Sequence, residues 1–155
     1  MLKQVTSVAK FDPAPPHRAP SLPRVAVAMA VAIVCSVAAD GLLVAVGEWI
    51  FPRTAGYAHF QFADFSKLTV IGVVIASIGW PVVARFTHDP RWVFLRLAIV
   101  VTIVLWLPDV YIWHVGQPAN AVTVLMVMHV AIAVVTYYAL MRLAPVRPQR
   151  SLSQG

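Results

Sequence analysis

Four long hydrophobic stretches occupy most of this 155-residue sequence, and they constrain the fold more than any other feature. A helix needs about 20 apolar residues to cross the hydrocarbon core of a bilayer. Inside lipid every backbone polar group must find a partner within the protein, so each stretch must be helical. The sequence therefore predicts an all-α integral membrane protein with four transmembrane helices, at about residues 25–50, 68–86, 92–114 and 121–143.

The composition agrees with this class and excludes an ordinary soluble domain. Hydrophobic residues make up 60% of the chain, charged residues 12%, and the mean hydropathy is +0.79. We expect one transmembrane domain over residues 25–143. Residues 1–24 and 144–155 are rich in proline and poor in apolar periodicity, which predicts disordered tails.

The basic residues are distributed unevenly between the two ends of the predicted helices. Ten of the twelve Lys and Arg lie in the N-terminal segment, the second loop with its helix ends, and the C-terminal segment. This positive-inside pattern predicts a plasma-membrane protein with both termini cytoplasmic. It also assigns the net charge of +6 to anionic lipid headgroups rather than nucleic acid, each residue contributing on the order of 1 kcal/mol. The predicted headgroup contacts are Arg24, Arg85, Arg91, Arg96, Arg142 and Arg147.

One alternative treats the first stretch as a cleaved signal peptide. Ser36-Val37-Ala38 before Ala39 resembles a signal-peptidase site, and cleavage there would remove residues 1–38 and leave three spans. The hydrophobic run continues past this point, which favours a retained helix. The single cysteine, Cys35, allows no intramolecular disulfide and no cysteine metal motif.

The predicted connections favour an up-down four-helix bundle. His88-Asp89-Pro90 predicts a tight hairpin with proline in the first position of the next helix, and residues 114–120 predict a second. The first loop, residues 51–67, holds five aromatic residues. It is either an interfacial segment on the membrane surface or a lid over a site among the helices. Asp64 is a candidate N-cap for the second helix.

Two features of the second and third helices bear on their packing. Gly72, Ala76 and Gly79 form a small-residue stripe that predicts close helix approach. Trp80-Pro81 predicts a kink or an early end of the second helix, and Pro108 predicts a kink in the third.

A polar residue from each helix falls in the predicted outer half of the bilayer. At about 1.5 Å per residue, Asp40, Ser77, Asp109 and His129 lie at broadly similar depths. Ionisable groups in a span are costly and need a partner or a route to water. Because an up-down bundle places its first and last helices side by side, we expect Asp40 and His129 to form a hydrogen-bonded pair, directly or through one water.

Three interpretations of this cluster stay open. In the first the groups are structural, with Asp40 bonded to His129 and Ser77 bonded to a backbone carbonyl. In the second they line a polar cavity that binds a small molecule, ion or proton. In the third Asp109 reaches the nearby membrane surface.

The sequence contains no recognised catalytic or cofactor motif. HExxH, G-x-S-x-G, P-loop and GxGxxG patterns are missing. Met126 and His129 share a helix face and could suit copper, but two ligands do not make a site. A bis-histidine haem needs two facing intramembrane histidines, and only His129 qualifies. We therefore predict no metal and no cofactor.

The layout resembles a known family. A basic, proline-rich tail precedes the first helix, and Gly79-Trp80-Pro81 leads into a basic hairpin that ends at Arg91-Trp92. Leu107-Pro108 lies near the end of the third helix. Met128-His129-Val130 lies in the fourth. These features resemble an uncharacterised family of small four-helix membrane proteins found in actinobacteria. The resemblance implies four helices and a bacterial plasma membrane, and it implies no activity.

Three functions are consistent with the sequence. The leading hypothesis is a structural or accessory subunit of a membrane assembly, with a membrane-protein partner or a second copy of itself. The second is a binding or transport module for a small molecule, ion or proton, built on the polar cluster. The third is an enzyme acting on a lipid or quinone, with His129 as its acid or base.

Overall fold

The four hydrophobic stretches form four long helices. The computed structural model describes residues 17–148, and within them the helices are α1 (Leu22–Ile50), α2 (Phe62–Phe86), α3 (Pro90–His114) and α4 (Ala119–Leu143). Each is long and apolar enough to cross a membrane. The predicted all-α four-helix architecture is confirmed.

The helices begin earlier than hydropathy predicts, and α2 differs most. It starts at Phe62 rather than near residue 68, because its first turn contains polar residues that a hydropathy window discounts. The N-cap is Gln61, so the assignment of this role to Asp64 was wrong. Asp64 instead lies in the first turn of α2, where a carboxylate suits the positive end of the helix dipole.

Both predicted hairpins are present. Asp89 is the N-cap of α3 and accepts a hydrogen bond from the Trp92 backbone N–H at 3.4 Å, while Pro90 opens the helix as predicted. At the other end of α3, Gly116 has a φ of 99°. The Gln117 N–H donates to the Ile112 carbonyl at 3.1 Å, which closes the helix in the manner that favours glycine in the left-handed region.

The two described chain ends meet. Strand β1 (His17–Arg18) pairs antiparallel with strand β2 (Arg147–Pro148). Residues 17–24 and 144–148 thus have defined structure, which differs from the predicted disordered tails. The rest of those predicted tails, residues 1–16 and 149–155, lies outside the described residues. We call the end of the bundle with the strands and the α2–α3 hairpin the termini end, and the opposite end the loop end.

The first and last helices form the most extensive contact in the bundle. α1 also packs on α2, and α4 on α3, so α1 and α4 form the central seam. Gly47 permits close approach there, because a Cβ at this position would lie 2.8 Å from Cγ2 of Val124. Ala28, Ala32 and Ser36 continue the small buried face of α1 toward the termini end.

The face of α2 that packs inward is not the one predicted. Gly72 is exposed, and neither Gly72 nor Gly79 has another group within 4 Å of an added Cβ. The buried residues of α2 are instead Phe65, Thr69, Val73, Ser77, Trp80 and Ala84. The helix also continues past Pro81 to Phe86, so the predicted early end was wrong.

Two apolar clusters hold the ends of the bundle together. The termini-end core draws on all four helices and consists of Val25, Ala28, Trp80, Phe94, Leu140 and Ala144. Within it the Trp80 indole donates to the Ala144 carbonyl at 2.8 Å. The loop-end core consists of Phe60, Phe65, Ala121, Val124 and Met128 and includes no residue of α3.

Candidate functional site

A layer of buried polar residues lies between the two apolar cores. Along α2 and α4, polar side chains fall in sequence between the residues of the two cores, and on α1 they follow Ala28 of the termini-end core. All are 0–4% exposed. This central polar layer consists of Ser36, Asp40, Thr69, Ser77 and Thr136. Polar side chains are costly in a membrane interior, so such a layer indicates either a specific hydrogen-bonded joint or a functional site.

Asp40 has one clear partner in the layer. Its Oδ2 accepts a hydrogen bond from Oγ1 of Thr69 at 2.6 Å, which joins α1 to α2. Asp40 is fully buried, and its other oxygen, Oδ1, has no hydrogen-bond partner among the described residues. One side of this carboxyl group is therefore satisfied and the other is available.

A second buried carboxylate joins α3 to α4. Oδ2 of Asp109 lies 3.1 Å from Nδ1 of His129. The same Nδ1 lies 3.0 Å from the Leu125 carbonyl, one turn earlier in α4. A ring nitrogen carries a single hydrogen. Nδ1 of His129 therefore lies within reach of both the Leu125 carbonyl and the Asp109 carboxylate, and one ring hydrogen can be directed at only one of them.

The Asp109–His129 pair is one of the contacts that attach helix α3 near the loop end. The only buried residues of α3 are Pro90, Phe94 and Asp109, and the first two lie at the termini end. One further bond joins the helices nearby, from the Trp106 indole to the Met126 carbonyl at 3.1 Å. The Asp109–His129 pair thus lies where α3 is otherwise loosely held.

The loop after α1 folds over the loop end of the bundle. It forms two short 3₁₀ turns, Pro52–Thr54 and Ala58–Phe60, and it buries Phe60 in the loop-end core. Tyr57 packs against the same core, and its hydroxyl is buried without a hydrogen-bond partner in the described structure. Burial raises the pKa of Tyr57, and the nearby Asp109 carboxylate raises it further. These contacts favour the lid interpretation of the loop.

The predicted pairing of Asp40 with His129 is replaced by two other pairings. Asp40 bonds to Thr69, and His129 lies against Asp109. The direct hydrogen bond was therefore wrong, although His129 is close enough to Asp40 for their charges to interact. His129 instead lies at the contact between α4 and α3, next to Asp109.

Two parts of the open interpretations of the cluster are not found in the structure. Asp109 is 6% exposed, so its side chain does not reach the surface. Ser77 is buried, as a site residue should be, but its hydroxyl does not bond to a carbonyl.

Sequence reasoning missed Thr69 and Tyr57 as members of the site. Thr69 is uncharged and lies in the part of α2 that hydropathy already assigned to a span, so nothing distinguished it from the flanking apolar residues. Tyr57 was one of several loop aromatics. The signal for Thr69 was that it follows Phe65 by one helical turn on the buried face, which only the fold reveals.

The predicted headgroup-binding arginines all lie at the termini end with exposed side chains. Arg96 also lies over the Trp92 ring, 4.3 Å from its centroid. This arrangement places the cations where headgroups would meet them. The contacts with anionic lipid themselves stay a prediction.

Two surface depressions are lined by residues outside the central polar layer. One is lined by Ser66, Lys67, Val70 and Ile71 on α2. The other has a volume of about 190 Å³, lies between α3 and α4, and is lined by Val110, Trp113, Ala119, Val122, Thr123 and Met126. Among the described residues, no three His, Cys, Asp or Glu side chains cluster as a metal site would require.

Together, four membrane-length helices, a buried polar layer and a carboxylate–imidazole pair define a small multi-pass membrane protein. A family model matches residues 15–146, and the chain belongs to this family of unknown function, DUF6069. Comparison with curated proteins and with solved structures gives no match. The expected uncharacterised family is thus confirmed, while its actinobacterial origin stays a prediction.

Proposed function

We propose that this protein binds and releases a proton at the Asp109–His129 pair, from the loop-end side of the membrane. The observation that carries the proposal is the 3.1 Å approach of His129 Nδ1 to Asp109 Oδ2 inside the membrane-spanning bundle. Carboxylates and imidazoles exchange protons readily, and such groups within a span are functional candidates by default.

The hydrogen-bonding pattern supports proton binding over a purely structural joint. A structural pair gains most when every buried polar atom is satisfied, since an unpaired one costs about 1–3 kcal/mol. Here Asp109 Oδ2 and Asp40 Oδ1 both lack a directed hydrogen bond within the described chain. A carboxyl oxygen in this state can accept a proton without breaking an existing bond.

The surroundings of the pair also suit a proton site. The ionisable groups that face it are Asp40 from α1, and Tyr57 and His59 from the loop. No described Lys or Arg bonds to either acid. The side chain of Asp109 is 8% exposed and that of His129 is 27% exposed, so the imidazole is the more accessible partner for an entering proton.

The orientation of the site follows from the charge distribution. Most of the exposed arginines lie at the termini end, with Arg53 at the loop end, and the positive-inside rule assigns the more basic end to the cytoplasm. We propose that the loop end faces outward and that the site exchanges protons with the exterior of a bacterial plasma membrane.

An acid step applied to one side of sealed vesicles tests this function. The protein is placed in one orientation, the inner pH is held by trapped buffer, and infrared difference spectra are recorded. We expect acid on the loop-end side to produce a carboxyl band that Asp109→Asn removes. The control Asp64→Asn changes an exposed carboxylate at the start of α2 and should keep that band. A spectrum identical in Asp109→Asn and the unchanged protein contradicts the proposal.

The accessory-subunit hypothesis stays a prediction, since no described feature identifies a partner. The lipid- or quinone-modifying enzyme is less well supported. Neither of the two depressions described above is lined by His129 or Asp109, so neither supplies a substrate site at the candidate acid and base.

A further inference from the structure

Three hydroxyl groups in the central polar layer are buried without a partner. Ser36 and Ser77 are 0% exposed and Thr136 is 4% exposed. None of the three hydroxyls has a hydrogen-bond partner within residues 17–148. They come from three different helices, α1, α2 and α4.

Hydroxyls elsewhere in the helices behave differently. Thr102 and Thr123 donate to the carbonyl four residues earlier, at 2.8 and 2.9 Å, and so does Thr87 just after α2, at 2.7 Å. This local bond is the usual way for a helical hydroxyl to be satisfied in a membrane. The three core hydroxyls have not taken this bond, so they stay available to another group.

Ser77 also has a backbone carbonyl whose usual helical donor is missing. The residue four positions later is Pro81, inside the same helix. Proline has no backbone N–H, so the Ser77 carbonyl loses its usual helical donor. This buried position therefore has an unpartnered hydroxyl and a carbonyl that lacks its usual helical donor.

The three hydroxyls continue from Asp40 toward the termini end. The bond between Asp40 and Thr69 aligns α1 with α2. At about 1.5 Å per residue, Ser36 lies roughly 6 Å from the level of Asp40, and Ser77 roughly 12 Å from the level of Thr69. Measured from the Gly47–Val124 contact in the same way, Ser36 and Thr136 lie at about 17 and 18 Å, so they share a level.

The termini-end core closes this series of hydroxyls. Trp80 follows Ser77 by one turn, is fully buried, and is fixed by its bond to the Ala144 carbonyl. Ala28 and Leu140, also fully buried, fill the core beside it. Beyond Ser77 the buried residues of the bundle are therefore mostly apolar.

We propose that Ser36, Ser77 and Thr136 bind internal water and extend the proton site from Asp40 past the middle of the bundle. The result is a polar half-channel, open toward the proton-binding pair and closed by the termini-end core. Buried water in proteins typically makes about three hydrogen bonds to polar groups that lack other partners, which matches what these positions offer. This inference rests on the proposed function, because the water would connect to the site of proton exchange.

Cysteine labelling measures whether these positions are hydrated. Cys35 is first replaced by alanine, since it is exposed. Ser36→Cys, Ser77→Cys and Thr136→Cys are then treated with aminoethyl methanethiosulfonate from the loop-end side of vesicles, and modification is followed by mass spectrometry. Two controls are matched in depth or helix: Ala28→Cys in the termini-end core, and Ile78→Cys, which is 62% exposed on the side of α2 away from the core.

We expect the three core cysteines to react at least about tenfold faster than both controls, because the reactive thiolate forms in water and is suppressed in apolar surroundings. Rates no faster than Ala28→Cys overturn the half-channel. Ser36→Cys and Ser77→Cys change one atom, and gel filtration confirms folding; should one variant not fold, the other two decide.

The labelling result is separable from the test of the proposed function. Labelling is read at a fixed pH and needs no proton uptake. Slow labelling with an intact Asp109 infrared band overturns only the half-channel. Fast labelling together with a carboxyl infrared band that does not depend on Asp109 overturns the proton-binding function. In that case the three positions are still shown to be hydrated.

Discussion

The indole nitrogen of Trp80 donates a 2.8 Å hydrogen bond to the backbone carbonyl of Ala144, across 64 positions of sequence. This bond joins the middle of the chain to the residue that follows the last helix. It satisfies a carbonyl that the end of α4 would otherwise leave free, and it fixes the largest fully buried side chain of the bundle.

Trp80→Phe should destabilise the protein through this bond. The ring is still apolar, but the Ala144 carbonyl loses its donor, and a buried unsatisfied group costs about 1–3 kcal/mol. Reversible unfolding in mixed detergent micelles measures the change. Trp49→Phe is the control, because Trp49 is 81% exposed and should be close to neutral. Equal effects of the two variants would contradict the role assigned to the bond.

Gly47→Ala should weaken the α1–α4 seam. The added methyl would lie 2.8 Å from Val124 Cγ2, and a β-branched side chain on a helix has little freedom to move. We expect a loss of about 1–3 kcal/mol, typical of overpacking. Gly72→Ala adds the same methyl where nothing lies within 4 Å and should be neutral or stabilising.

Recovery by a second change sharpens that test. In Gly47→Ala/Val124→Ala the clashing methyl groups are gone. The double variant should therefore lose less free energy of unfolding than the two single variants lose in total. Strict additivity would show that Gly47 acts through something other than its contact with Val124.

Thr69→Val should be destabilising because it removes the donor to Asp40. Valine has nearly the shape of threonine, so the change isolates the 2.6 Å hydrogen bond. A bond to a charged group contributes about 1.5–3 kcal/mol, and Thr69→Ser should retain most of it. Thr123→Val removes an exposed hydroxyl bonded within its own helix and is the matched control. Equal losses in Thr69→Ser and Thr69→Val would show that the hydroxyl is not what matters.

Tyr57→Phe should change the alkaline limit of stability. Burial, followed by the charge of Asp109, raises the pKa of Tyr57 above its ordinary value of 10.0. Above that value the unfolded chain loses the phenolic proton before the folded chain does, so stability falls as pH rises toward the folded pKa. Removing the hydroxyl should make the decline above pH 10 shallower while leaving neutral-pH stability nearly unchanged, because this hydroxyl has no described partner.

Unfolding curves recorded between neutral pH and strongly alkaline pH measure the effect. Tyr111→Phe, at a residue 66% exposed, should leave the alkaline slope as it is. The same slope in Tyr57→Phe and the unchanged protein would show that Tyr57 does not titrate as argued.

Hydropathy predicted the number of helices and their order correctly because the bilayer requires about 20 apolar residues in each span. It located the start of α2 poorly, since Asp64 and Lys67 lie within its first turns. It also failed to identify the inward face of α2. In a membrane the lipid-facing and core-facing residues are both apolar, so the exposed Ile75 and the buried Val73 look alike in the sequence.

The sequence predicted which charged residues belong to the site better than it predicted which residues they contact. Charge inside a span pointed to Asp40, Asp109 and His129, because such residues are costly without a role. Their partners depended on helix rotation, which depth estimates do not contain. A neutral threonine was therefore overlooked as the partner of Asp40, and the imidazole was assigned to the wrong carboxylate.

The α1–α4 seam has a consequence for how the chain is made. The ribosome synthesises α1 first and α4 last. α1 therefore cannot form its most extensive contact, the one with α4, until α2 and α3 have also been synthesised. Asp40 of α1 can form its hydrogen bond earlier, because its partner Thr69 lies in α2, the next helix to be synthesised. The most costly group of α1 is thus matched early, and the close packing at Gly47 comes last.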